Sequence, residues 1–269
     1  MRRVRAGFDR ADHPRRSRKR AHAMNAAIIE AERVSKTYGR GPTCVEALRT
    51  LDLTIRSHEL TILAGPSGSG KTTLLSILGC MLTPTSGTVR VCGVSARDAR
   101  PEALAAIRRQ HIGFVFQSYH LFSTLTSAEN VQLALDVRGE RGPEAVAKSV
   151  AVLGSVGLSA KLKSFPRELS GGEQQRVAIA RALVADPSII LADEPTAALD
   201  TENGRSVMAI LSSIARARGR AVLVVTHDAR LFHFADRIVQ IEDGAIIRET
   251  RPDASGSGAP DPNASRAGT

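Results

Sequence analysis

The chain has 269 residues, 42% hydrophobic and 24% charged, enough for one sizeable core or one core with a small lobe. Its longest apolar runs, such as AVLVV at 221–225, are far short of the ~20 residues of a membrane-spanning helix, and three cysteines without metal-ligand spacing (Cys44, Cys80, Cys92) suggest neither a disulfide framework nor a zinc site and fit a reducing cytosol. The net charge of +10 does not point to nucleic acid, because residues 1–23 alone hold nine of the 37 Lys and Arg and two of the 27 Asp and Glu.

That basic run has no apolar stretch behind it, so it is not a secretory signal. Residues 1–24 read as a basic disordered tail, or as a start placed upstream of the natural one at Met24; contact with anionic lipid headgroups is the alternative. From residue 25 to about 250 strand and helix patterns alternate. Leu51, Leu53 and Ile55 have the period of a half-buried strand, LTILAG at 60–65 is a buried strand ending in glycine, and KTTLLSILGCML at 71–82 reads as a packed helix. GTVRV at 87–91 and IGFVF at 112–116 are further strands. Residues from about 118 to 170 break the rhythm and contain no convincing strand. There Thr126 and Glu129 have the spacing of a capping box, Pro143 suits a first helical position and Gly157 a helix end, so this stretch reads as a helical lobe. Then come the strand SIILA at 188–192, a helix over 201–218, the strand AVLVV at 221–225, and a hairpin turning on Asp243-Gly244. Residues 251–269 contain no Val, Ile, Leu, Met or Phe and read as a second disordered tail. The expected fold is α/β, with a mainly parallel sheet covered by helices and one inserted helical subdomain in a single domain over 25–250.

Three motifs lie where this alternation places strand ends and helix starts. GPSGSGKTT at 65–73 (Gly65, Pro66, Ser67, Gly68, Ser69, Gly70, Lys71, Thr72, Thr73) fits G-x-x-x-x-G-K-[ST] between a buried strand and a helix. Its glycines let backbone N–H groups turn inward on phosphate oxygens at a helix N-terminus, Lys71 can reach the β- and γ-phosphates, and Thr72 can offer its hydroxyl to Mg2+. SIILADEP at 188–195 ends a buried strand in two acids: Asp193 is placed to orient the metal and Glu194 to take a proton from an attacking water. His227 follows the next strand and is a candidate for the γ-phosphate. The third motif is LSGGEQQ at 169–175. Ser170 and Glu173 have capping-box spacing, while Gly171 and Gly172 leave the first N–H groups of that helix open to an anion.

The order of cradle, Gln117 after GFVF, LSGGEQQRVAIARAL at 169–183, IILADEP, AALD at 197–200 and VVTHD at 224–228 resembles the ATP-binding subunit of ATP-binding-cassette transporters, over about residues 27–248. The resemblance implies a P-loop NTPase core that binds ATP and Mg2+. It implies that Tyr38 stacks on adenine, that Gln117 links metal and attacking water to the helical lobe, that Glu194 is the catalytic glutamate, and that His227 contacts the γ-phosphate. Asp200 then spans a dimer interface, and LSGGEQ closes over the nucleotide of a second copy in a head-to-tail pair. TAALD has alanines where many relatives carry other side chains, which bears on interface contacts but not on Asp200. GPSGSGKTTLLSILGCMLTPTSG, FVFQSYHLFSTLTSAENV and VTHDARLFHFADRIVQIEDGAI resemble more narrowly the lipoprotein-releasing, macrolide-export and heterocyst-glycolipid-export ATPases. Membership there implies a separate membrane permease with a large periplasmic domain, a periplasmic adaptor protein as a further partner, and a place on the cytoplasmic face of the inner membrane. The transported compound would be a lipid, lipoprotein or hydrophobic molecule. The alternatives are an importer ATPase, or a cassette protein of DNA repair or translation; the roughly 50-residue gap between motifs has no room for the coiled coils or zinc modules of the repair proteins.

Overall fold

The computed structural model describes residues 26–97, 99–217 and 219–252. The expectations for residues 1–24 and for nearly all of 251–269 lie outside them. In chain order the strands are β1 (Ala27–Tyr38), β2 (Val45–Arg56), β3 (Glu59–Ala64), β4 (Ser86–Val91), β5 (Val94–Ser95), β6 (Ile112–Val115), β7 (Ile189–Asp193), β8 (Ala221–Thr226), β9 (Arg237–Glu242) and β10 (Ala245–Thr250). The helices are α1 (Lys71–Leu78), α2 (Pro101–His111), α3 (Ser127–Asp136), α4 (Pro143–Ser155), α5 (Gly171–Leu183) and α6 (Thr201–Ala217).

Six strands form the central sheet in the order β10-β9-β3-β8-β7-β6, parallel throughout except for the antiparallel edge strand β10. Its inner strands are apolar without alternation because both faces are covered. In β8, Val222 and Val224 pack with Val177 of α5 and Val207 and Leu211 of α6 on one side. Ala221, Leu223 and Val225 pack on the other with Leu74, Ile77 and Leu78 of α1. That second cluster continues into Ile29, Leu53 and Ile55 of a four-stranded antiparallel sheet, β2-β1-β4-β5. The hairpin β9–β10 turns on Asp243 (φ 45°) and Gly244 (φ 75°), the left-handed pair that a two-residue turn between twisted strands requires.

Three features depart from the sequence reading. The helix expected over 71–82 stops at Leu78, where Gly79 takes the C-cap and Cys80 turns left-handed at φ 55°. Strand β1 had no clear signature: its pairing with β2 shifts register four times, which breaks the period-2 pattern. Helix α2 is also new, and buries only Ile107. Between β6 and β7 the described residues contain no strand. Thr126 caps α3 with a reciprocal bond to Glu129, Pro143 opens α4, and Gly157 (φ 77°) follows that helix. The loop before α3 is shaped by Asn130. Its amide is fully buried, donates to the carbonyls of Phe122, Leu125 and Thr126, and accepts from Phe122 N–H.

Candidate functional site

Parallel pairing decides where the chemistry gathers. Val115 lies opposite Ala192, Asp193 opposite Val225, and Ala64 opposite Thr226, so the C-terminal ends of β6, β7, β8 and β3 form one edge. The residues just beyond those ends are Gln117, Glu194, His227 and Gly65. Four segments far apart in sequence thus reach one crevice, where a parallel α/β sheet presents its ligands.

The cradle itself is bent by backbone rather than by side chains. Gly70 caps α1 in the left-handed region (φ 96°), and a Cβ there would lie 2.4 Å from the Ala47 carbonyl of β2. No side chain caps this helix, so its first N–H groups point into the loop without a protein acceptor from a cap. Lys71 is buried and its Nζ donates to Pro66 O at 2.6 Å, which folds the ammonium over the loop. Ser69 Oγ is buried and has no partner among the described residues. The loop therefore places a buried cation beside a helix start that no side chain caps, a setting suited to an anion. Thr72 and Thr73 follow on the first turn, with Thr72 exposed.

Facing the cradle, Thr72 Oγ1 donates to Asp193 Oδ1 at 3.3 Å. Burial pushes the Asp193 carboxyl above its usual range, a shift that the Thr72 bond and Lys71 oppose and Glu194 reinforces. A desolvated carboxylate beside a hydroxyl is an oxygen donor pair suited to a small hard cation. No group of three or more His, Cys, Asp or Glu is arranged to hold a metal ion among the described residues. Magnesium needs none, since it takes one or two carboxylates and fills its remaining positions with water and phosphate oxygens.

Glu194 adopts φ 46°, a conformation costly for a non-glycine residue, and its N–H donates to Val225 O at 3.0 Å. The strained backbone turns its side chain to His227, whose Nδ1 lies 2.8 Å from Glu194 Oε1. The two residues named on separate strands form one pair. Gln117 is exposed in the turn after β6. Tyr38 ends β1, 43% exposed, with Lys36 Nζ 5.3 Å from its ring centroid. Its strand partner Val45 is two residues from Ala47, whose carbonyl covers Gly70, so this end of the antiparallel sheet adjoins the cradle.

Ser170, Gly171, Gly172 and Glu173 lie elsewhere. Ser170 Oγ accepts from Glu173 N–H (3.2 Å) and Glu173 Oε2 accepts from Ser170 N–H (2.8 Å), a complete capping box. The Ser170 N–H, with burial opposing and Lys161 helping, holds the Glu173 carboxyl below its usual range. The glycines have a packing reason that sequence reasoning missed. A Cβ on Gly171 would lie 2.9 Å from the Tyr119 hydroxyl, and one on Gly172 only 2.4 Å from Asn203 Oδ1. Asn203 is itself fastened to Asp200: its N–H and Nδ2 donate to the two carboxylate oxygens at 2.9 and 2.6 Å. Asp200 thus caps α6 and packs, through Asn203, against the start of α5. Only the Asp200–Asn203 spacing could have announced this; nothing in the sequence marks Ala47 as the wall of the cradle.

Comparison with known proteins adds four findings. A family model described as ABC transporter matches residues 48–197. The macrolide export ATP-binding/permease protein MacB of Salmonella paratyphi A is 46% identical over 221 residues, 82% of this chain and 34% of that protein. The chain spans about a third of the length of the curated relatives it matches. A solved dimeric ATP-binding cassette, in a post-hydrolysis state bound to ADP and phosphate, is similar with a TM-score of 0.76 and 41% identity, covering 83% of this chain and 98% of that one. The protein cbiO1 of Clostridium perfringens, part of an ABC transporter complex, gives a TM-score of 0.76 at 27% identity over 84% of this chain and 89% of its own. No helix among the described residues is long and apolar enough to cross a membrane.

Proposed function

This chain belongs to the ABC transporter family and carries its ATP-binding, ATP-hydrolysing domain, and from that premise we propose that it powers export of a lipid, lipoprotein or hydrophobic compound through a membrane permease. The observation that carries the chemistry is the pairing of Glu194 with His227 beside Lys71, Thr72 and Asp193. ATP enters with its phosphates over residues 65–73, where Lys71 exchanges the Pro66 carbonyl for phosphate oxygens. Tyr38 stacks on adenine. Thr72, Asp193 and Gln117 are the residues that would hold Mg2+, which would supply charge neutralisation for the phosphates when bound. Glu194 takes the proton of the water that attacks the γ-phosphorus in line, and His227 Nδ1 holds the carboxylate at that angle.

Ser170, Gly171, Gly172 and Glu173, with Asp200, complete the site of a second copy in a head-to-tail dimer. The dimeric state of the cassette at 41% identity supports a pair of copies. Export is supported by the 46% identical relative, described as a macrolide export ATP-binding/permease protein. A periplasmic adaptor and a place on the cytoplasmic membrane face belong to the same reading. Domain limits of about 25–250, with the helical subdomain over about 118–170, complete it.

The test is co-purification. Tagged full-length chain recovered from detergent-solubilised membranes should bring down a permease with a large extracytoplasmic domain, and its ATP hydrolysis should depend on that complex. Recovery of ribosomes or DNA in place of a permease would refute the transport reading while leaving the ATPase intact.

A further inference from the structure

Two successive non-glycine residues follow Gln117 in the left-handed region, Tyr119 at φ 58° and His120 at φ 49°. Single residues of this kind are uncommon, and a consecutive pair persists only where the surroundings impose it. What imposes it is Arg181, near the far end of α5. Its Nη1 donates to His120 O at 2.5 Å and its Nη2 to Tyr119 O at 2.8 Å, so one planar guanidinium clamps both carbonyls of the turn. Burial lowers the pKa of this arginine, the mark of a cation drawn out of water. The turn is tied to the other end of α5 as well, because the Tyr119 hydroxyl occupies the space beside Gly171. Tyr119 and His120, just after Gln117, are therefore strapped along α5 from its first turn to its last. The helix beneath the strap is the one whose start carries Ser170.

We propose that Arg181 is a positioning residue that couples the two nucleotide sites: it transmits engagement of the α5 start by the partner's nucleotide to Gln117 at the chain's own nucleotide. The inference rests on the shared-site reading given above. Movement of α5 as Ser170 docks carries the guanidinium with it. The clamped carbonyls must follow, and Gln117, two residues before Tyr119, shifts relative to Thr72 and Asp193. Arg181 touches no substrate and takes no part in proton transfer.

Arg181→Lys keeps the charge but loses the fork that reaches two carbonyls at once. In the nucleotide-free full chain, hydrogen exchange at amides 117–121 should quicken while that at 65–73 stays parental. In steady-state hydrolysis kcat should fall roughly tenfold to a hundredfold, the scale of a misplaced catalytic group. The KM for ATP should stay within about twofold, since binding to the cradle is untouched, and the Hill coefficient should drop towards one. His120→Pro, at an exposed loop position, forbids a positive φ and pulls the turn off the guanidinium without altering α5. It should reproduce the same split, and it serves if the arginine variant does not fold. Parental kcat and cooperativity in either folded variant overturn the proposal, as does a loss of kcat that merely follows loss of folded protein in a thermal melt. Failure of the shared-site reading registers separately, as absence of an ATP-dependent dimer in Glu194→Gln.

Discussion

The starts of α1 and α5 are both glycine-rich turns into a helix, and they solve the problem of orphan N–H groups in opposite ways. At α1 the N-cap is a left-handed glycine with no side-chain acceptor, and the adjacent Lys71 is bent back onto a backbone carbonyl. At α5 the N-cap is Ser170 in extended conformation, and a reciprocal bond with Glu173 satisfies two of the end's N–H groups from within. The first is built open and awaits an anion. The second is partly met, with the N–H groups of Ser170 and Glu173 already engaged, so an anion there finds only the glycine N–H groups and the Ser170 hydroxyl proton to bind. One chain therefore holds a ready half-site and a partly met half-site, and the partly met one is the half proposed to serve a neighbour.

The largest effect expected is at Glu194. Glu194→Gln removes the proton acceptor and should slow hydrolysis roughly 10²–10⁴-fold while leaving the open half-site able to bind ATP; size-exclusion chromatography with ATP should then show a lasting dimer. A variant that hydrolyses at the parental rate would remove Glu194 from the chemistry. Lys71→Ala breaks the open half alone. Its ATP affinity should fall by about 10–100-fold, the worth of one charge-assisted bond, with the melting curve of the nucleotide-free protein little changed.

Gly172→Ala strikes the partly met half through packing. The added methyl collides with Asn203, so stability should drop by about 1–3 kcal/mol, and adding Asn203→Ala should restore much of it. Recovery would show that the glycine makes room for Asn203. No recovery would return it to the ligand. Ser170→Ala should lose about 1 kcal/mol of stability as a missing cap and lose hydrolysis beyond that; unchanged hydrolysis would mean that the Ser170 hydroxyl serves only as a cap.

The smallest effect is on pH dependence. The Glu173 carboxyl is held below its usual range, so the capping box contributes stability above the unfolded pKa and loses it as pH falls through the lowered folded value. Glu173→Gln should flatten that acid limb in thermal melts. Asp193 has the opposite sign, raised chiefly by burial. Protons should compete with Mg2+ for it at a higher pH than for an ordinary carboxylate, which a titration of Mg2+-dependent nucleotide binding against pH would register.

Much of the central sheet was legible because its strands are buried on both faces and bounded by turn residues: LTILA, IILA and AVLVV are apolar apart from Thr61. The capping boxes at Thr126 and Ser170 were legible because a local hydrogen bond needs only a fixed spacing. Strand β1 was not, since register shifts against β2 scatter its apolar residues across both phases. Helix α2 was not, because a helix that buries one side chain has little periodicity to read. At the site, the residue types and order of motifs stood in the sequence; Asn203, Ala47 and Arg181 did not, for each acts on a residue that is distant in sequence or through a backbone carbonyl.

Local chemistry was thus written in the chain itself: a glycine loop followed by Lys71, acids after a buried strand, Ser170 three residues before Glu173. Each depends on bonds within a few residues, and short spacing specifies them. Only the tertiary structure decided which strand ends share an edge, because the order β3-β8-β7-β6 is set by burial of whole strands against helices on both faces. That order brings His227 to Glu194 across 33 residues and lays α5 under the turn of Tyr119 and His120.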